Sequence, residues 1–184
     1  MNDSDESIID EVLQGNTEQF ALLIKRYEKP IFNLMYRLSG STEDAADLTQ
    51  ETFLRAYDKL EQFRPGARFF SWLYTIGINL SRDWQRKYRP TQDLDETVLN
   101  QRAQSEYNNG RPDVLELKQD VEILHQCLTE LPLDYREALI LRFQRELQLK
   151  EVAEILNISL SGAKMRVRRG LEKLRVIMLE KGHE

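Results

Sequence analysis

The chain has 184 residues, of which 41% are hydrophobic, and a formal net charge of −5, so it is long enough for one domain or two small ones with apolar cores. It has no run of 18 apolar residues that would span a membrane, and its acidic N-terminus lacks the apolar stretch of a signal peptide, which predicts a cytoplasmic protein. A single cysteine, Cys127, excludes a disulfide framework and a cysteine-based zinc cluster.

The first part of the chain shows helical periodicity, and neither this part nor the rest contains a convincing strand. Ser4 or Ser7 is expected to cap a short helix that Gly15-Asn16 ends. A longer helix is expected from Thr17, with a kink at Pro30 or a break just before it. The reason is that proline removes one backbone hydrogen bond and clashes with the preceding turn.

A third helix is predicted at about residues 43–60, with Ser41 and Asp44 as a capping pair. One face is expected to be buried and comprises Ala45, Leu48, Thr49, Thr52, Ala56 and Leu60. The opposite face carries polar groups and one leucine at i, i+3, i+4 and i+7, namely Asp47, Gln50, Glu51 and Leu54. An exposed leucine among carboxylates suits a basic protein partner, although an ordinary solvated face has the same spacing.

A fourth helix, at about residues 68–88, lies in a segment rich in aromatic and basic residues, a composition typical of single-stranded DNA contacts. The 3–4 spacing favours burial of Phe69, Trp72, Leu73, Ile76 and Leu80. Another face offers candidates for base and phosphate contacts, namely Asn79, Arg82, Asp83 and Arg86. The loop before the helix, residues 63–67, is a candidate pocket for an extruded base, which the spacing alone does not establish.

The apolar period is lost over residues 91–112, which are interpreted as a flexible linker between two helical domains, 1–90 and 113–184. The second domain begins with a capping pair, Asp113 and Glu116, and continues with an apolar stripe of Leu117, Val121, Leu124, Leu128 and Leu131. Pro132 fits the first turn of the next helix, at about 132–144. Cys127 is expected to be buried beside the stripe, and His125 is expected at the surface.

The segment 149–175 has the pattern of a helix-turn-helix that ends in a basic helix. Its first helix has an apolar face of Leu149, Val152, Ala153 and Leu156. Asn157 stands at the turn because it tolerates the left-handed backbone region, and Ile158 follows as a core residue. The second helix, from about Ser161, has a predicted buried stripe of Ala163, Val167, Leu171 and Leu174. Its other faces are strongly positive, which favours the DNA major groove over an ordinary solvated face.

Although the net charge of the chain is negative, acidic and basic segments alternate along it. Residues 1–63 and 91–139 each carry a net charge of −7, whereas residues 64–90 carry +5 and residues 140–184 carry +4. Because phosphate attraction is local under physiological screening, the two basic blocks predict two separate nucleic-acid contacts.

Four segments, in this order, resemble the extracytoplasmic-function (ECF) sigma factors of bacterial RNA polymerase. They are EDAADLTQETFLRAYDKLEQF, FFSWLYTIGINLSRDWQRK, LPLDYREALILRF and LKEVAEILNISLSGAKMRVRRGLEKLR. The resemblance implies an all-α fold of two small helical domains joined by a flexible linker, the second a helix-turn-helix. It also implies a protein without enzymatic activity, cofactor or metal that is monomeric when free and directs promoter-specific transcription.

The resemblance also implies partners and their contact residues. Core RNA polymerase would be bound through its β′ clamp helices and β flap, with the β′ contact formed by Asp47, Gln50, Glu51 and Leu54. The −10 element would be opened and held by Phe63, Arg64, Gly66, Ala67, Trp72, Asn79, Arg82, Asp83 and Arg86. The −35 element would meet Ser161, Lys164, Met165, Arg166, Arg168 and Arg169. An anti-sigma factor is a further implied partner.

Three residues depart from the family pattern. Met165 stands where a small hydroxyl residue is usual, and Thr75 stands where the residue is often basic. Gly77 lies inside a predicted helix, where glycine lowers helix stability by about 1 kcal/mol relative to alanine. Close packing against a neighbouring element is the expected reason for a glycine at this position.

Two other functions are compatible with parts of the chain. A stand-alone helix-turn-helix regulator that binds operator DNA as a dimer would explain residues 149–175 only. A nucleic-acid-processing enzyme with a metal on Asp44, Asp47 and Glu51 would use the acidic face, but no histidine lies near these carboxylates in the sequence.

Overall fold

The computed structural model describes residues 4–88 and 123–181, and every regular element within these ranges is helical. The N-terminal lobe contains α1 to α4, which are Asp5–Leu13, Phe20–Ser39, Thr42–Asp58 and Phe69–Tyr88. The C-terminal lobe contains α5, described over residues 123–130, followed by α6, α7 and α8, which are Leu133–Leu139, Leu149–Leu156 and Leu160–Lys181. The linker predicted at 91–112 and the capping pair Asp113 and Glu116 lie outside the described residues. Over residues 4–88 and 123–181, no helix combines the length and the apolar composition of a membrane span.

Local sequence signals set most helix ends. The hydroxyl of Ser4 accepts a hydrogen bond from the Ser7 backbone N–H, and that of Ser41 accepts one from the Asp44 N–H at 3.2 Å. Gly40 closes α2 in the left-handed region, with φ of 76°. The helix starts at Ser4 and Ser41 agree with the predicted ones because each depends on a few adjacent residues.

Helix α2 is continuous across Pro30, so of the two predicted alternatives the break is wrong, and the kink stays a prediction. A short 3₁₀ turn at Thr17–Gln19 precedes the helix, and the α-helix begins at Phe20. The turns beyond the proline bury Ile31, Leu34, Met35 and Leu38 almost completely. Each buried side chain contributes about 1.5–3 kcal/mol, which together exceeds the cost of about 3 kcal/mol for an interior proline.

The N-terminal lobe packs α2, α3 and α4 around one apolar core. Gly77 lies where α4 meets both neighbours, and a Cβ atom there would come within 2.7 Å of Met35 Cε and 3.5 Å of Thr52 Oγ1. The Thr52 hydroxyl is buried and donates to the Leu48 carbonyl at 2.6 Å. A side chain at position 77 would therefore require the Met35 methyl group to move, whereas its contacts with Thr52 would be ordinary.

The C-terminal lobe depends on a close approach of α6 to α8. At Gly170 an added Cβ would lie 3.1 Å from Leu139 Cγ and 3.2 Å from Tyr135 Cβ. The buried side of α8 thus runs through Ala163 and Gly170 toward Leu174, whereas Leu171 is 43% exposed. The prediction that Leu171 belongs to the buried stripe is wrong because a glycine, which carries no hydropathy signal, holds the contact position.

Of the predictions for two residues of α5, one is confirmed and one is wrong. Cys127 is fully buried, as predicted. His125 is also buried, so its predicted surface position is wrong. Its ring stacks on Tyr36 of α2 with centroids 4.7 Å apart, and this contact joins the two lobes.

Substitution of the packing glycine tests the α6–α8 contact. Gly170→Ala is expected to lower the free energy of unfolding by about 1 kcal/mol, because overpacking at rigid neighbours costs about 1–3 kcal/mol and exceeds the gain of about 1 kcal/mol in helix propensity. Gly162→Ala, whose methyl group would lie 3.2 Å from the Ser159 hydroxyl and at ordinary contact distance, 3.7 Å, from Ile158 Cβ, is the control and is expected to be neutral or stabilising. Urea unfolding followed by circular dichroism measures both, and equal values for the two variants would contradict the packing role.

Candidate nucleic-acid interface

The turn between α7 and α8 positions the basic helix α8 relative to α7. Gln148 and Glu151 form a capping box at the start of α7, with the Gln148 N–H donating to Glu151 Oε2 at 2.8 Å. Asn157 ends α7 in the left-handed region with φ of 54°, as predicted, and the Ile158 N–H donates to the Ala153 carbonyl at 3.0 Å. Ile158 then packs on the core. The backbone hydrogen bonds of the turn and the packing of Ile158 therefore hold the start of α8 against the end of α7.

The outward face of α8 is positive and open to solvent. The exposed residues there are Ser161, Lys164, Met165, Arg168 and Arg169. Within the described residues, Lys164 and Arg169 form no ion pair, and Arg168 lies 3.6 Å from Glu172 in a pair that is largely solvated. Arg166 instead turns toward α6, where its Nη2 lies 2.9 Å from Asp134 Oδ2. An α-helix with free cations on one exposed face fits the width of the DNA major groove.

The loop between α3 and α4 rests on an aromatic cluster. Phe63 is buried beneath it, with ring centroids 5.7 Å from Phe69 and 5.4 Å from Trp72. Gly66 adopts φ of 80°, and the Ala67 N–H donates to the Arg64 carbonyl at 3.1 Å. Arg64, Gly66 and Ala67 are consequently exposed on a loop that the cluster supports, while the Phe63 ring itself faces inward.

The loop opens onto a polar cleft of about 520 Å³ between the lobes. Its N-terminal side comprises Gly66, Ala67, Arg68, Ser71, Trp72 and Thr75, and its C-terminal side comprises Gln148, Lys150, Glu151 and Glu154. The half-buried indole of Trp72 forms part of the floor. A cleft of this size beside an aromatic ring is large enough for a base taken out of its stack.

The polar face of α4 is divided between solvent and the other lobe. Asn79 is exposed, and Asp83 pairs with Arg86 in an exposed i, i+3 contact. Arg82 reaches across to α6, where its Nε and Nη2 donate to the two carboxylate oxygens of Glu137 at 2.9 and 2.6 Å. Glu137 is fully buried. Burial raises the pKa of this carboxyl, and the Arg82 guanidinium opposes part of that rise.

The acidic face of α3 borders an apolar groove. Asp47 and Gln50 are exposed, Leu54 is 55% exposed, and Glu51 pairs with Arg55 at 2.8 Å. The groove, of about 780 Å³, lies between α2 and α3 and is lined by Phe20, Ile24, Phe32, Phe53 and Tyr57 together with Gln50 and Leu54. An apolar groove with charged groups at its rim is suited to bind a helix of another protein.

The groove and the inter-lobe contacts were not predicted. Phe32 lies beside the stripe that contains Phe20 and Ile24, and this extra aromatic residue was the available signal that the apolar side of α2 is wider than its core face. No local signal marked Glu137, which has the sequence context of an ordinary solvated charge. Among the described residues, Asp44, Asp47 and Glu51 belong to no group of three side chains that would hold a metal ion.

Substitutions at the turn test how α8 is positioned. Asn157→Val is expected to lower the free energy of unfolding by about 1–2 kcal/mol, because a β-branched residue is disfavoured in the left-handed region. Asn157→Gly, which adopts this conformation readily, is expected to retain wild-type stability. Thermal and urea unfolding compare the two variants. A valine variant as stable as the glycine variant would show that the turn is not constrained.

Comparisons with known proteins agree with this arrangement. Two family models match the chain, Sigma-70 region 2 over residues 23–91 and Sigma-70, region 4 over residues 121–174. The ECF RNA polymerase sigma factor SigW of Bacillus subtilis is 34% identical, with 91% of this chain and 92% of that protein aligned. The ECF RNA polymerase sigma-E factor of Escherichia coli K12 is 30% identical, covering 93% of this chain and 92% of that protein.

Solved structures show the same fold. CnrH in complex with the cytosolic domain of CnrY superposes with a TM-score of 0.70 at 24% identity, over 96% of this chain and 97% of that one. The sigma factor RpoE in complex with the anti-sigma factor NepR from Bartonella quintana also has a TM-score of 0.70, at 25% identity, over 88% of this chain and 97% of that one.

Proposed function

This chain belongs to the extracytoplasmic-function sigma factors of bacterial RNA polymerase, and we propose that its two lobes divide the recognition of a promoter between them. The N-terminal lobe binds core polymerase and opens the −10 element, and the C-terminal lobe reads the −35 element. The matched Sigma-70 regions 2 and 4 support the assignment of residues 1–90 and 113–184 to these roles, with residues 91–112 as the linker. The main support for the proposal is the exposed basic face of α8, which follows a helix-turn-helix turn with a defined backbone conformation.

In the −35 contact, α8 lies in the major groove. Lys164, Arg168 and Arg169 project from its exposed face and are able to donate to guanine O6 and N7 or to phosphates. Met165 is 44% exposed among these cations and supplies an apolar group suited to a thymine methyl. Arg166, held near Asp134, contacts a flanking phosphate.

In the −10 contact, the loop at residues 63–67 receives an unpaired base beside Trp72. Unstacking a base costs a few kcal/mol, which stacking on an aromatic ring, worth about 1–3 kcal/mol, largely offsets. Asn79 and Arg86 are exposed on the adjoining face of α4 and follow the strand. Arg82 joins them only when its bond to Glu137 is broken.

The polymerase contact is formed by α3 and the groove beside it. Leu54 and the apolar groove bury surface against a polymerase helix, while Asp47 and Glu51 meet basic residues at the rim. Because both lobes are then held on one particle, two weak DNA contacts act together through their effective concentration. The chain acts by binding alone, and no step of this mechanism makes or breaks a covalent bond.

An anti-sigma factor is a further proposed partner. One structural relative, the sigma factor RpoE from Bartonella quintana, is bound to the anti-sigma factor NepR. Co-purification from the native host would identify such a partner for this chain.

Loss of a cation on α8 tests the −35 assignment. Arg169→Ala is expected to reduce run-off transcription from a selected promoter by about tenfold, because a good base contact is worth about 1–3 kcal/mol. Binding to core polymerase should not change. Lys181→Ala, which removes the same charge from the far end of α8 where Lys181 pairs with Glu130, is the control. Equal transcription by the two variants would refute the assignment.

Truncation of the exposed leucine tests the polymerase contact. Leu54→Ala is expected to weaken binding to core polymerase by about tenfold, because an apolar side chain buried at an interface contributes about 1.5–3 kcal/mol. Leu13→Ala, at a leucine that is 47% exposed on α1, is the matched control. Fluorescence anisotropy with labelled protein measures both affinities. Unaltered binding by Leu54→Ala would remove α3 from the interface.

A further inference from the structure

A hydrogen bond from the N-terminal helix leads to the aromatic side chains beneath the loop at residues 63–67, the −10 loop. Asp5 is the first residue of α1. Three apolar residues follow it on the same face at i+3, i+4 and i+7 and are buried, namely Ile8, Ile9 and Val12. A carboxylate on such a face needs donors in place of water. The Tyr27 hydroxyl of α2 donates to Asp5 Oδ2, and Arg26 pairs with Asp5 Oδ1.

The Tyr27 ring continues this contact to the start of α4. Its centroid lies 5.6 Å from that of Phe69 and 6.4 Å from that of Phe70. Phe69 is buried and belongs to the aromatic cluster of Phe63, Phe69 and Trp72 that supports the −10 loop. Asp5 is thus joined, through Tyr27, to the cluster on which the proposed base pocket rests.

Helix α1 also packs against the chain segment that leads into the −10 loop. This segment is a 3₁₀ turn at Leu60–Gln62, which α1 contacts. Leu60 is buried, and its carbonyl accepts a hydrogen bond from the Phe63 N–H at 3.0 Å. The helix therefore supports the chain before the loop directly and the chain after the loop through Tyr27.

The chemistry of the tyrosine favours a fixed contact. Burial, followed by the hydrogen bond to Asp5 and the charge of Asp5, raises the pKa of Tyr27. The hydroxyl therefore keeps its proton at neutral pH and donates it in a charge-assisted hydrogen bond. A tyrosine that is held at its hydroxyl by Asp5 and at its ring by Phe69 has little freedom to rotate.

We propose that Asp5 is a positioning residue for the −10 loop, which holds Tyr27, and through it the aromatic cluster, in the arrangement that receives an unpaired base. This inference rests on the proposed function, since it concerns the same base pocket. Asp5 and Tyr27 act without touching DNA. They pre-organise the pocket, so that less ordering is needed when the base enters. Helix α1 thereby contributes to promoter opening.

Base capture in the polymerase complex tests this role. The full-length chain with excess core polymerase is mixed with a fluorescein-labelled non-template oligonucleotide that carries the −10 sequence of a promoter selected by run-off transcription. An abasic site is placed at each −10 position in turn, and the position with the largest loss of affinity identifies the captured base. For the wild-type chain we expect a loss of about tenfold there, because one stacked base is removed.

Two substitutions break the contact between α1 and the cluster. Tyr27→Phe removes the hydroxyl and keeps the ring, and Asp5→Ala removes the acceptor. Each is expected to reduce the abasic loss to about twofold to threefold, since a pocket that must be ordered on binding gains less from the base. Asp10→Ala removes a carboxylate from the exposed face of the same helix and should keep the wild-type loss.

The abasic loss is a ratio of two affinities measured on the same folded variant, so lower stability alone does not change it. Circular dichroism verifies folding. If Asp5→Ala does not fold, Tyr27→Phe decides the result together with the Asp10→Ala control.

The outcomes separate this inference from the proposed function. If the wild-type chain shows no loss at any abasic position, the base pocket is wrong, and its positioning by Asp5 is wrong with it. A wild-type loss that a folded Tyr27→Phe or Asp5→Ala variant retains overturns the role of Asp5 and leaves the pocket in place. An equal decrease in Asp10→Ala also overturns that role, because it would reflect α1 as a whole. A smaller loss in both variants, with the control unchanged, supports the positioning role.

Discussion

The bond between Arg82 and Glu137 is the interaction on which the arrangement of the two lobes depends. A carboxylate without any exposed surface is tolerated only where a cation and hydrogen bonds replace its water, and here the Arg82 guanidinium from the other lobe donates to both carboxylate oxygens. The pair therefore contributes mainly specificity, because it sets which face of α4 meets which face of α6. Two further contacts between the lobes support the same arrangement. Arg136 donates to the Leu38 carbonyl of α2, and Arg145 lies over the rings of Phe70 and Tyr74.

An acidic protein that recognises DNA must keep its charges apart. The net charge is −5, yet the exposed face of α8 is positive and the acidic face of α3 points to a different part of the surface. At physiological ionic strength, charges more than about 8 Å apart are largely screened from one another when exposed to solvent. Each surface is thus able to serve its own partner.

Features that depend on neighbours in the sequence were predicted correctly from the sequence. The caps at Ser4 and Ser41, the left-handed Asn157, the buried face of α3 and the burial of Cys127 all agree with the structure. The errors have one physical origin. The burial of Leu171, the exposure of His125 and the break that was one of two alternatives at Pro30 were expected from local propensity, but packing against other helices decided each of them. The assignment of individual DNA and polymerase contacts remains a prediction.

By itself, the sequence determined the family, the all-helical class, the two basic blocks and the faces of α3 and α8, since helical periodicity and charge are properties of adjacent residues. Only the tertiary structure decided that Gly170 brings α6 against α8, that aromatic residues of α2 and α3 enclose a groove, and that Glu137 lies buried under Arg82. These features join residues far apart in the chain, and 55 positions separate Arg82 from Glu137. Local patterns carry no information on such contacts, because their stability comes from excluding water between surfaces that exist only after the helices have packed.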